Sequence, residues 1–211
     1  ISDDLVLAKL SDDGVGITMT TDATTRTITG SGSIESTTIA QTHSPSLTGM
    51  TGTLGSSLTF PTGHILQVLQ TVKTDTETTT STSFEACTGL SVAITPSATS
   101  SKILVLADVN IGNSHADYFT HVRLMRDSTA IYIADAHSVR CSALTRNHSA
   151  QHITNVGPKY LDSPSTTSSV TYSVHWRVEG QTGYLNRTSA DTANDSYGRT
   201  ASSIIVMEVA Q

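Results

Sequence analysis

Hydrophobic and polar residues alternate in short runs along much of this chain, and a period of two is the mark of half-buried β-strands. The run 102–111 shows it best. Ile103, Val105, Ala107, Val109 and Ile111 fall on one face, and Leu104, Leu106, Asp108 and Asn110 on the other. It begins apolar on both faces and becomes one-sided, as a central strand does on leaving a core. Similar runs cover 64–72, 90–95 (stopped by Pro96), 118–126, 130–134, 170–178, 183–187 and 203–209. Asp127-Ser128-Thr129 reads as the turn of a hairpin between two of them. No stretch of ten residues carries helical periodicity with caps. These runs, with turn residues between them, predict an all-β fold over residues 61–211, an antiparallel β-sandwich or jelly roll. The polar stretch 136–160 reads as a long loop with one short strand.

Residues 1–60 differ. They hold short alternating runs such as Ile17-Thr18-Met19-Thr20 and Arg26-Thr27-Ile28-Thr29, which pair as a hairpin across Asp22-Ala23 in this reading. Turn signals separate the runs, and large apolar side chains are scarce. Such a segment cannot bury a core alone, so the expectation is an extended Thr/Ser-rich N-terminal stalk or attachment segment. It would lie on another surface or wind with copies of itself. The opening Ile1-Ser2-Asp3-Asp4, followed by Leu5, Val6 and Leu7, reads as the interior of something longer.

Composition sharpens this picture. About three residues in ten are Ser or Thr, while charged residues are 14% and aromatics 5%. Thr is β-branched and suits a pleated, half-buried surface. A net charge of −6 without a basic cluster argues against binding nucleic acid through its phosphates. The longest apolar run, 103–107, is far shorter than the roughly 20 residues of a membrane helix, so no membrane insertion is expected. Cys87 and Cys141 read as two thiols rather than a bridge.

Several stretches resemble a known family. They are Thr59-Phe60-Pro61-Thr62-Gly63-His64-Ile65-Leu66-Gln67-Val68, Leu90-Ser91-Val92-Ala93-Ile94-Thr95-Pro96, Ser100-Ser101-Lys102-Ile103-Leu104-Val105, Arg123-Leu124-Met125-Arg126-Asp127-Ser128, Leu161-Asp162-Ser163-Pro164 and the closing Ile204-Ile205-Val206-Met207-Glu208-Val209. Over residues 45–211 the chain resembles the C-terminal domain of tail-fibre and related virion fibre proteins of bacteriophages, marine ones especially. The resemblance implies a homotrimeric structural protein of the virion, located in a tail or capsid fibre, that contacts a host surface glycan or protein. It also implies docking on other virion proteins through the N-terminal segment. The strand pattern, with the late Tyr184-Leu185-Asn186, is similar in architecture to the trimeric jelly roll of complement-C1q and tumour-necrosis-factor-like domains. Two alternatives stand beside adhesion: a purely structural fibre or adaptor component without a receptor, and a polysaccharide depolymerase.

Candidate chemistry is thin. His148 and His152 are spaced i, i+4 without helix, Glu or third ligand, and on a strand that spacing is about 13 Å. His64, His121 and His175 sit in strands, where a threefold axis would make three ligands of one. No metal and no cofactor is expected. Serines lack a Gly-x-Ser-x-Gly elbow. Of the five glutamates, Glu35, Glu77, Glu85 and Glu208 offer no obvious acid–base pair for glycoside cleavage, so the chain is not expected to be an enzyme. Asp12-Asp13-Gly14 and Asn194-Asp195-Ser196 read as turns before calcium loops. Trp176 reads as core. Candidate surface-binding residues are Tyr118, Tyr132 and Tyr184, at strand ends or in loops, with Arg140, Arg146 and Asn186 as polar partners.

Overall fold

The structure, a computed structural model, describes residues 60–135, 137–138, 141–143, 145–147, 152–193, 195 and 197–211. The chain divides into two units, Ile1–Gly55 and Ser56–Gln211, and the described residues belong to the second. The expected hairpin of residues 17–29 lies outside them, as do Arg140 and His148.

The described residues form an all-β, jelly-roll-like sandwich with no helix. In chain order the strands are β1 (Ile65–Lys73), β2 (Glu77–Thr79), β3 (Glu85–Ile94), β4 (Lys102–Asn113), β5 (Thr120–Arg126), β6 (Thr129–Ile131), β7 (Thr145–Asn147), β8 (Thr154–Val156), β9 (Lys159–Asp162), β10 (Val170–Val178), β11 (Gly183–Leu185) and β12 (Ser202–Val209). The larger sheet runs β1-β12-β4-β11-β2, with β8 and β9 also on β4; the smaller runs β3-β10-β5-β6, with β7 on β5. All pairings are antiparallel.

Strand β4 is the spine. Its twelve residues are long enough to take β12 and then β11, and β9 and then β8, as successive neighbours. Its odd-numbered residues from Ile103 to Ile111 are buried. Opposite them, β10 buries Val170, Tyr172, Val174, Trp176 and Val178, following the alternation in its sequence. Cys87, Leu90, Val92 and Ile94 of β3, Val122 and Leu124 of β5, and Ile204 and Val206 of β12 complete the core. Trp176 is fully buried, as expected, and both cysteines are free, Cys87 inside the core. At one edge of the core, Arg126 donates to both carboxylate oxygens of buried Asp162, at 3.0 and 2.8 Å, and the Tyr172 hydroxyl donates to the same carboxylate at 2.7 Å. A buried carboxylate with this many charge-assisted partners ties β9, β5 and β10 together.

Arg126 pairs with Thr129, so the β5–β6 hairpin turns on Asp127 and Ser128, with Asp127 at φ +51°. An aspartate tolerates that left-handed position, and its side chain accepts from Thr171 N–H at 2.9 Å. Two expectations need correction. The stretch 136–160 holds β7, β8 and the first residues of β9 rather than one short strand; each is too short for its alternation to stand out. The apolar start of β4 is not buried on both faces, because Leu104 and Leu106 point away from the core.

Candidate interaction face

In an antiparallel ladder, residues directly opposite each other lie on the same face of the sheet. Register therefore maps the outer surface of the large sheet. On β12 the buried residues are Ser202, Ile204, Val206 and Glu208, so Ser203, Ile205, Met207 and Val209 face outward. Across β4, Met207 pairs with Leu104 and Ile205 with Leu106. Leu104 in turn pairs with Leu161 on β9, and Met207 with Val68 on β1. The result is an unbroken row four strands wide: Val68, Met207, Leu104, Leu161. Ile65 beside Val209 and Val72 beside Ser203 extend it along β1. Val68 and Val72 are each 53% exposed, Ile65 48% and Leu161 45%. Of its polar members, Lys102 and Lys159 begin β4 and β9, Asp108 lies midway along β4 beside Ser203, and Gln70 lies on β1.

The small sheet supplies the contrast. Its outward positions on β10 and β5 are Thr171, Ser173, His175 and Arg177 beside Met125, Arg123 and His121. This face is mostly polar, though His121, Met125 and Ser173 within it are buried. The large sheet differs, with Val, Leu, Ile and Met on both faces. A contiguous apolar patch with charges at its rim marks a surface that meets another macromolecule. The signal was present in the sequence as the both-faced apolar start of β4 and the apolar run 204–207 in β12.

A polar cluster beneath this face ties β12 to β1 and to the segment before β4. Glu208 is 1% exposed and points inward between Ile103 and Gln67. It accepts from Gln67 Nε2 at 2.6 Å, Ser97 N–H at 2.7 Å and Ser97 Oγ at 2.6 Å. Burial alone pushes its pKa up, but these donors outweigh it and hold the carboxyl below its ordinary value.

The residues singled out from sequence do not converge on one site. Tyr118 is exposed, edge-on to His115 at 5.5 Å between ring centroids. It lies against Gly180, where an added Cβ would come within 2.6 Å of its ring. Tyr132, 48% exposed and at φ +51°, stacks on Tyr160 at 5.2 Å. Tyr184 is half-buried in β11, with the Arg187 guanidinium 4.3 Å from its ring centroid. Arg146 is in β7, paired with His121. Asn186 is not at the surface. It is fully buried, donating from Nδ2 to the carbonyls of Lys73 and Asp75, both at 2.9 Å, and accepting from Ser202 Oγ at 2.6 Å. Its position just after β11, at φ +60°, makes it an internal clasp between β1, β11 and β12.

His64 stacks on Phe60 at 4.6 Å, and His121 bonds Glu179 at 3.0 Å. Among the described residues no group of three His, Cys, Asp or Glu side chains is placed to hold a metal ion. The described glutamates Glu77, Glu85, Glu179 and Glu208 are each engaged locally, by Thr88 at 2.9 Å, by Thr79, by His121 at 3.0 Å and by Ser97. Compared with models of known protein families and with curated proteins, the chain matches none.

Proposed function

We propose that this chain is a virion fibre protein whose head, residues 61–211, associates as a homotrimer through the outer face of its large sheet and mediates adhesion to a host surface. The observation that carries this reading is the row Val68–Met207–Leu104–Leu161, apolar and contiguous, with nothing among the described residues covering it. Copies of the chain are the occupant that also answers its second shortage. Residues 1–60 have too few large side chains to bury a core alone, and three chains together supply what one lacks. The sequence resemblance to phage tail-fibre domains points the same way. Adhesion by such a head rests on several weak contacts multiplied by avidity, which exceeds single-site affinity by roughly 100-fold or more.

The test pairs wild-type chain with a variant carrying Leu104→Lys and Met207→Lys. Both side chains face outward, so the protomer keeps its core and its circular-dichroism spectrum. The expected result is that wild type is retained on bacterial envelopes and the variant, now monomeric, is retained about 100-fold less. Equal retention of both on the same envelopes would overturn the link between this face and adhesion.

A further inference from the structure

The small sheet carries a second feature that the self-association reading does not use. Across β10 and β5, His175 pairs with Arg123 and Arg177 with His121, so in a chain of net charge −6 Arg123, His175 and Arg177 share one half-exposed patch, with His121 buried beside it. The arginines converge on Phe84. The Arg123 guanidinium carbon is 3.7 Å from the ring centroid and that of Arg177 is 5.6 Å. They flank an open groove of about 450 Å³, completed by the hydroxyl side chains of Thr82, Ser83 and Ser142 and by Cys141.

Each guanidinium is pinned by one backbone carbonyl, Arg123 Nη2 to Ser142 O and Arg177 Nη1 to Thr82 O at 2.9 Å. Among the described residues, neither arginine forms an ion pair; Glu179, near the patch, bonds His121. The Nε–H of each is buried and has no hydrogen-bond partner. Both guanidinium groups line the groove without a carboxylate partner, which suits an oxyanion at their remaining Nη–H groups. Guanidinium forks match carboxylate and sulfate bidentately, which is their advantage over lysine. The hydroxyls around the groove suit the hydroxyls of a sugar.

We propose that this groove is a binding site for the carboxylate or sulfate group of an acidic glycan, with Arg123 and Arg177 as the oxyanion donors. The choice of a glycan over a free anion rests on the adhesion reading above. The test is a titration of the full-length chain, followed by NMR at the arginine Nε–H signals, with sodium glucuronate, galactose 6-sulfate, glucose, sodium sulfate and sodium chloride at matched ionic strength. The expected result is a saturable shift of the Arg123 and Arg177 signals with at least one acidic sugar and none with glucose or chloride. Arg123→Gln and Arg177→Gln should each weaken that binding about tenfold or more. Arg177→Lys, which keeps the charge but not the fork, should weaken it too. No shift with either acidic sugar, or an equal shift with chloride, would overturn the site. Free sulfate binding as tightly as the sulfated sugar would overturn its assignment to a glycan. The two readings fail separately: a chain that binds glucuronate but no envelope loses adhesion and keeps the site, whereas envelope binding unchanged in Arg177→Gln loses the site and keeps adhesion.

Discussion

Asn186 shows how much one side chain contributes here. A left-handed residue at φ +60° is usually glycine, yet this one is an asparagine whose amide bridges the carbonyls of Lys73 and Asp75 while its oxygen accepts from Ser202. Ser202 Oγ in turn accepts from Asn110 N–H at 2.9 Å, so the network reaches β4. Asn186→Ala orphans two buried carbonyls and a hydroxyl and adds left-handed strain. It should destabilise the fold by about 3 kcal/mol, read from urea midpoints. Its burial was hidden in the sequence, where Asn186 between Leu185 and Arg187 looks like any polar residue at a strand end. Glu208 works through charge. Its folded pKa is held below the ordinary 4.5, so the ionised carboxylate contributes stability above that value, and the contribution is lost as pH falls through the folded pKa. Glu208→Gln should cost about 2 kcal/mol at neutral pH and much less at a pH below the folded pKa, where the wild-type carboxyl is also neutral. Urea melts at the two pH values check this; an unchanged difference would mean that Glu208 acts by shape and not by charge.

At the scale of the element, strands with alternation over seven or more residues were legible, and of the three-residue strands only β6 and β11 were, overlapping the runs 130–134 and 183–187. The run 170–178 matches β10 residue for residue, and 102–111 lies within β4. β2, β7 and β8 are three residues each, too few for a period of two to rise above the polar background, and they are ordered by pairing with longer strands. β4 also explains the one misread pattern. An apolar residue on both faces of a strand signals cover on both faces, but sequence does not tell whether a second layer of the same chain or another molecule provides it. Neighbouring residues on β4 should therefore behave differently. Ile103, fully buried, should lose about 3 kcal/mol on truncation to Ala. Leu104, facing outward, should lose well under about 1 kcal/mol in the isolated protomer, because surface substitutions lie near zero. In the assembled protein Leu104→Ala should instead make the melting temperature depend on protein concentration. Melts over a hundredfold dilution separate the cases; matching losses at Ile103 and Leu104, independent of dilution, would place both in one core.

For the whole molecule, the fold class was readable because composition and alternation agreed: a Thr-rich, helix-poor chain with a turn after each apolar run has few architectures open to it. The sites were not readable in the same way. The outward row depends on register across four strands, and the arginine groove brings Phe84, Arg123 and Arg177 together from three strands or their ends. Spacing along the chain carries neither. The two outer faces have opposite characters, one apolar and the other cationic and hydroxyl-rich. Assembly through the first leaves the second exposed, so structural role and recognition need not compete for surface. The most direct test of the central claim is the solution mass of the whole chain by light scattering at micromolar concentration. The account predicts three times the 22.2 kDa of a single chain, falling to one chain in the Leu104→Lys, Met207→Lys variant. A wild-type chain that stays monomeric would contradict it.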